Sequence, residues 1–560
     1  MAEWKIAERK FDDIVDQLLY NRGVFVEKDK ALEELFFNPN FDKDLGDPFL
    51  LTGMKKAVDR IEIAVKNGEK IGIFSDYDAD GIPAAALLFR AFKAIGAKPE
   101  VYIPNREAGY GLSNEGINYL ISKRCTLIIT ADLGIRSLAE AKYCAEKNID
   151  LIVTDHHIPG EEIPEALAVI NPKTKGNKYP FKELCGCGVA FKLIQALSSI
   201  YKKEFSESFL KWNLDLVAIS TIADVVPLIG ENRVFANFGL IVLKKTKNLG
   251  LLELMKQSGI KQSDVAAYTV GFQIAPKINA PGRIDHATKS FELLVTEDKE
   301  EAKELAIWLN KKNEDRQWAM AKVEKTAIVR IEENQLYKNK IIVLAGEWLK
   351  GVIGPSASHL VDKYSRPVIL FSKDDGIYVG SARSVEGVNI VEIFENIKDS
   401  IKKFGGHKGA AGLSVTNFDK FLKSIIDFAN KHIKDELLVK KIRVDGEIKP
   451  SEITKKMCGL ISKFEPFGMG NPKPVFLAKG VELTSPRVIG ETKKHLSVQT
   501  KYGNNIFRSV FFNFADRNET VKSNTLYDIV FCLELNHWKG TSNLNFNLID
   551  MKATSHTEGE

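Results

Sequence analysis

A chain of 560 residues is too long for one hydrophobic core, so three or more domains are expected. Its 44% apolar and 27% charged residues describe a soluble globular protein, and six cysteines at this length give no disulfide framework and point to a reducing cytoplasm. The 79 basic side chains exceed the 74 acidic ones by only 5, so any nucleic-acid binding must come from local patches.

Residues 1–45 combine an amphipathic helix, Phe11 to Tyr20, with a loop-like stretch at 36–49, and read as an arm laid on the first domain. No signal peptide precedes that domain and no run of about 20 apolar residues follows, so a cytoplasmic protein with no membrane span is expected. Met54 to Asn67 reads as a helix, with Ala57, Ile61 and Val65 four apart. Ile71 to Phe74 is a short apolar strand, and Ala84 to Phe92 a helix led in by Gly81 and Pro83. Between them stand Asp76, Asp78 and Asp80, at alternate positions. Crowded carboxylates repel one another unless a cation neutralises them, and hard oxygen ligands suit Mg²⁺ or Mn²⁺. The bland alternative is an acidic solvated turn; the strand-to-helix placement favours metal.

Strand and helix then alternate: strand from Lys98 to Ile103, helix from Asn114 to Lys123, strand from Thr126 to Thr130, helix from Ser137 to Lys147, strand from Asp150 to Thr154. That rhythm predicts a largely parallel sheet covered by helices on both faces, with further helices from Gly188 to Ile200 and Leu214 to Ala223. Asp132 follows one predicted strand, and Asp155, His156 and His157 follow the next, so two more strand ends deliver acid or imidazole to the same edge. Asp224 is a candidate bridge between two metals. Cys185-Gly186-Cys187 lacks a second ligand pair, which argues against zinc.

Lys244 to Gly259 reads as one helix, and Gly271 to Asp285 as a basic, glycine-containing loop. Glu297 to about Gln335 is a charged helix without proline or glycine, a rigid spacer or, as the alternative, a coiled coil whose heptad is not kept. A second α/β unit follows, with strands Lys340 to Ala345, Pro367 to Phe371 and Gly376 to Gly380, a helix Gly354 to Lys363, and a loop Phe404 to Gly409. From about Leu438 short strands predict a small β-barrel: Lys441 to Val444, Val475 to Leu477, Leu496 to Gln499, Ser509 to Phe512 and Tyr527 to Leu535. Ala553 to Glu560 is expected to be a disordered tail.

An ordered set of motifs runs through the chain: Asp76 to Gly81, Ile103 to Arg106 with Gly109 to Leu112, Asp155 to His157, Gly186 to Lys192, and Ala223 to Leu228. It continues with Asn279 to Arg283, Arg316-Gln317, Gly351 to Gly354, Gly380 to Ser384, Gly405 to His407 and Glu465 to Pro472. This set resembles the RecJ single-strand-specific exonucleases of the DHH phosphoesterase superfamily. The resemblance implies a DHH domain at 46–295, a connecting helix at 296–338, a DHH-associated domain across a cleft at 339–437 and an OB-fold at 438–552. It implies Asp78, Asp80, Asp132, His156 and Asp224 as ligands of one or two Mn²⁺ or Mg²⁺ ions, with Asp76 a ligand or near neighbour. His157 is implied to orient the site or protonate the leaving oxygen.

By the same resemblance Arg106 and Arg283 clamp phosphate, their guanidinium forks matching its oxygens, with surface ion pairs as the alternative. Ser381, Arg383, Gly406 and His407 are implied substrate contacts from the far wall. Leu133, Pro281 and Leu349-Lys350 depart from the family pattern, and none removes a proposed ligand. The expected activity is metal-assisted phosphodiester hydrolysis on single-stranded DNA, 5′ to 3′, in repair and recombination, by a monomer with helicase and single-strand-binding partners. Phe507, Phe511, Phe512, Trp538 and Lys539 are candidates for holding the strand, with barrel core as the alternative for the aromatics. A phosphodiesterase for cyclic dinucleotides and a non-catalytic single-strand-binding scaffold stay open; the barrel argues against the first and the intact ligand set against the second.

Overall fold

The strand Lys70–Ser75 is buried along nearly its whole length, as a strand covered on both faces must be. It lies second in a five-stranded parallel sheet ordered Lys98–Tyr102, Lys70–Ser75, Cys125–Ala131, Asp150–Thr154, Ala168–Ile170. The chain goes from Lys70–Ser75 to one side and then returns to the other. The crevice where strand order reverses therefore opens between the ends of Lys70–Ser75 and Cys125–Ala131. The helix Gly81–Ala94 leaves that crevice, buried from Gly81 through Leu88, and packs against the sheet and the helices Gly186–Leu197 and Leu214–Ala223.

This computed structural model describes residues 2–24, 30–105, 111–374, 376–514, 521–522, 525–538 and 541–554. They form two compact units, one of residues 41–226 and 231–439, the other of residues 1–40, 227–230 and 440–560. No helix among the described residues is long and apolar enough to cross a membrane.

In the larger unit the helix Lys299–Glu333 begins at Asp298, whose carboxylate accepts the Glu301 N–H at 2.8 Å. Its first half, through Leu305, Ala306 and Leu309, completes the core of the parallel-sheet domain. Its second half, through Met320, Val323, Ala327 and Ile331, packs with Val352, Ile353 and Leu360 of the helix Lys350–Tyr364. The second sheet runs Lys403–His407, Ala410–Val415, Ile377–Arg383, Val368–Asp374, Ile342–Gly346, with only its last pair parallel.

In the smaller unit the strands Phe476–Ile489, His495–Tyr502, Asn505–Phe511, Thr541–Ala553 and Leu526–Trp538 close into a barrel by pairing the first with the last. The N-terminal arm belongs here, which corrects its expected place on the first domain. Glu3–Ile6 pairs in parallel with Lys441–Val444. Arg22, its side chain almost wholly buried, donates to Asn471 Oδ1 at 2.7 Å and Leu18 O at 2.9 Å, and stands 3.4 Å from Asp445.

Other expectations change. The helix read from Lys244 to Gly259 is shorter, Leu249–Gln257, and an unforeseen helix, Gly230–Leu243, precedes it; between them Thr246 gives its hydroxyl to Asp215 at 2.7 Å and Asn248 caps the second. The loop read from Gly271 to Asp285 is helical, Val270–Ile274, Ala275–Asn279 and Pro281–Ile284. Its prolines sit in first turns, where a missing N–H costs nothing. Phe404 to Gly409 is strand and hairpin turn rather than loop. The barrel gains the unforeseen strand Thr541–Ala553, which takes Ala553 out of the expected tail; residues 555–560 lie outside the described residues.

Candidate active site

Asp76, Asp78 and Asp80 sit on the turn between Lys70–Ser75 and the helix Gly81–Ala94. The Asp78 carboxylate accepts the Asp80 and Gly81 N–H groups at 2.8 and 3.1 Å, and Asn279 Oδ1 accepts that of Ala79 at 2.7 Å. Gly81 is required here: a Cβ would lie 2.6 Å from the Asp76 carbonyl oxygen. Asp80 is held from the far side by the start of the helix Gly186–Leu197, whose Gly186 and Cys187 N–H groups reach its two oxygens at 2.6 and 2.8 Å. That helix end presents unpaired donors and a partial positive charge.

Asp132 follows its strand with φ +66° and Val225 follows Asp224 with φ +58°. A left-handed conformation is uncommon for any non-glycine and an outlier for a β-branched residue, and such backbone strain gathers at functional sites. His156 reaches into the same space, its Nε2 3.2 Å from Asp132, 3.6 Å from Asp80 and 3.6 Å from Asp224. Ligand atoms within 4.8 Å of one another form three overlapping groups: Asp132, His156 and His157; Asp80, His156 and Asp224; Asp76, Asp78 and Asp132.

The electrostatics show what the cluster lacks. Burial and then Asp78 push the Asp80 carboxyl up to about 6. Burial, Asp80 and Asp78 push Asp224 up to about 8. Burial, with Asp80 next, raises Asp132 well above the ordinary carboxyl value. Burial and the neighbouring His157 pull His156 down to about 3, so its imidazole is neutral. Crowded anions beside a neutral imidazole are an arrangement that a cation relieves. Oxygen with one nitrogen suits Mn²⁺, and the carboxylates alone suit Mg²⁺.

Asp155 serves differently from its neighbours. It is buried, accepts the Ile135, His156 and His157 N–H groups at 2.9, 2.7 and 3.0 Å, and holds His157 Nδ1 at 2.7 Å. Burial alone would lower the His157 pKa; Asp155 outweighs it and raises it to about 8.

A second group faces this one within the same unit. Ser381 and Arg383 stand on one strand, with Arg383 Nη1 2.9 Å from Ser381 Oγ. Gly406 and His407 stand two strands away, and Gly406 takes φ +148° where a Cβ would meet the Ala410 carbonyl oxygen at 2.4 Å. His407 is exposed, and its pKa is lowered by burial of the ring and then by the cations Arg136 and His157. Arg283 donates to the Gly351 carbonyl oxygen at 3.3 Å, and Gly351 has no room for a Cβ, which would lie 1.8 Å from the Arg283 carbonyl oxygen. Arg106 lies outside the described residues.

Comparison with known proteins now decides the family. Residues 70–221 match the DHH family N-terminal domain, 338–435 the DHHA1 domain and 444–550 the RecJ OB domain. The RecJ exonuclease of Haemophilus influenzae is 34% identical over 91% of this chain and 92% of its own length. The chain belongs to the RecJ family. The Bacillus subtilis RecJ is 38% identical over 94% of this chain, which spans 66% of that relative. The crystal structure of RecJ from Thermus thermophilus in complex with Mn²⁺ superposes with a TM-score of 0.80 at 28% identity, over 98% of this chain and 79% of the other. Another structure of that RecJ is in complex with Mg²⁺.

The Gly186 and Cys187 N–H groups, which hold Asp80, and the hub Asp155, which holds His157, are contacts that residue chemistry alone did not assign. The glycine that opens a helix was the available signal for the first. A Cβ on Gly186 would lie 2.3 Å from Asp132 Oδ1. On the barrel, Phe507 and Phe511 are buried, Phe507 stacked on Phe546 at 4.4 Å, which corrects their reading as candidates for holding the strand. Phe512 is exposed. The Trp538 side chain and Lys539 lie outside the described residues. Arg508 and Ile506 instead line a groove of about 750 Å³ with Lys455, Asn536 and Asn545.

Proposed function

We propose that this chain is a single-stranded-DNA-specific 5′-to-3′ exonuclease that hydrolyses phosphodiester bonds with Mn²⁺ or Mg²⁺, in DNA repair and recombination. The observation that carries the reading is the convergence of Asp76, Asp78, Asp80, Asp132, His156 and Asp224 in three overlapping ligand groups at the carboxyl edge of one sheet. Held there, the ions supply Lewis acidity at the scissile phosphate and lower the pKa of water. Gly186 and Cys187 fix Asp80, and the neutral His156 offers a lone pair. Asp155 orients His157 and keeps it charged near neutral pH, so that it can hand a proton to the leaving oxygen.

Arg283, Ser381, Arg383, Gly406 and His407 receive the 5′-terminal phosphate, which carries more charge than an internal diester. Arg106 joins them on resemblance alone. The barrel groove, with Arg508 and Lys455, adds contacts to the strand. A cytoplasmic monomer, with helicase and single-strand-binding partners, completes the proposal on the same resemblance.

End-labelled single strands, with Mn²⁺ or with chelator, test it. Mononucleotides should leave the 5′ end only when Mn²⁺ is present, and blunt duplex should be spared. Faster hydrolysis of cyclic dinucleotides than of long single strands overturns it.

A further inference from the structure

Arg316 and the helical stretch Val270–Ile274 take no part in the site described above, yet they line one cavity of about 440 Å³. The helices Lys299–Glu333 and Lys350–Tyr364 supply its other walls. Arg316 is held by Asn313, whose Oδ1 accepts from Nε at 3.3 Å and from Nη2 at 2.9 Å, and by the Met320 sulfur 3.0 Å from Nη1. A guanidinium carries five N–H donors; these contacts commit three. No described carboxylate pairs with Arg316, and burial alone lowers its pKa. The carboxylate on the cavity wall, Glu324, is engaged by His359 at 2.7 Å. A half-buried cation with donors to spare, and without a counter-charge, is a site for an anion.

Part of the remaining wall is apolar. Phe272 lines the cavity with Pro276, Met320 and Pro355. Its ring is 70% exposed and stacks on Tyr268 with centroids 4.8 Å apart at 27°. A flat apolar ring set beside an anion site matches a base joined to a phosphate. The cavity also adjoins the reaction centre: Asn279 lines it and holds the Ala79 N–H between Asp78 and Asp80, and Arg283 lines it too.

We propose that this cavity binds a deoxynucleoside 5′-monophosphate, the product class of the exonuclease, with Arg316 on the phosphate and Phe272 against the base. The proposal rests on the nuclease reading above. The test uses the full chain in chelator, with 8-azido-dAMP as photoaffinity probe and peptide mapping of the labelled protein. Label is expected on the peptide bearing Phe272 or that bearing Met320. Arg316→Gln should raise the half-saturating probe concentration about tenfold or more. Phe272→Ala, at an exposed position, should raise it about fivefold or more.

Label confined to the peptides carrying Ser381 and Arg383 or Gly406 and His407 overturns the proposal. So does label at the cavity that neither variant weakens, or inorganic phosphate competing as well as dAMP. Nuclease activity of the same preparation on single strands with Mn²⁺ is read in parallel. Activity without Arg316-dependent label removes the cavity assignment alone; label without activity removes the nuclease reading alone.

Discussion

At the carboxyl edge of the parallel sheet Asp80 and Asp132 are buried, crowded and mutually unfavourable, with His156 buried beside them. On the second sheet Ser381, Arg383, Gly406 and His407 are half-buried or exposed, and no carboxylate is among them. The first edge spends burial on holding anions together and is complete only with a cation. The second keeps its cationic and glycine-backed surface open, so an anion can arrive and leave. One edge suits a resident ion, the other a passing substrate.

The contrast is broken most severely by removing a ligand. Asp132→Ala or Asp224→Ala should cut turnover on single strands by on the order of 10³ or more while the thermal transition persists. Near-normal turnover at ordinary Mn²⁺ would show that the buried edge is not the reaction centre. Among the proposed phosphate contacts, Arg283→Ala, on the helix Pro281–Ile284, should erase most of the preference for 5′-phosphorylated over 5′-hydroxyl strands. A lost charge-assisted contact costs about 1.5–3 kcal/mol, and rates on the two matched substrates measure it directly.

The buried edge can also be tested without touching a ligand. Gly186→Ala puts a methyl 2.3 Å from Asp132 Oδ1, so Asp132 and the helix end must separate. Mn²⁺ affinity, titrated in the full chain, should fall about 10- to 100-fold, as for other groups that orient ligands. Unchanged affinity would mean that the helix end does not set the site. The smallest effect is expected in the other unit. Arg508→Ala in the barrel groove should leave short strands alone and lower the salt slope for long ones by about 1.

The acidic edge was readable because Asp76 to Asp80, Asp132 and His156 each follow a strand of strong apolar pattern, and strand ends are where an open sheet gathers function, whereas Asp224 ends the helix Leu214–Ala223. The Asp76 to Asp80 turn, Asp132 and His156 needed only that rule. The hold on Asp80 by Gly186 and Cys187 was harder, since backbone donors leave no side-chain signature. Helical structure at 270–284 was misread because glycine and proline look like breakers, although proline is welcome in a first turn. The strand Thr541–Ala553 was missed although Leu544, Phe546 and Leu548 alternate with asparagines. Alternation fixes a strand, but three asparagines at 543, 545 and 547 argue for a turn by composition.

The pairing of Glu3–Ile6 with Lys441–Val444 has a consequence for the order of assembly on the ribosome. Synthesis runs from the N-terminus, and domains fold as they emerge. Residues 3–6 are made before the unit ending at Val439, yet their partner strand is made only after that whole unit has been translated. The catalytic unit can therefore mature early, while the arm waits as an unpaired edge. A nascent chain arrested before residue 440 would carry a finished reaction centre and an unfinished barrel unit. Arrested chains of graded length, probed by limited proteolysis, should show the arm becoming protected last.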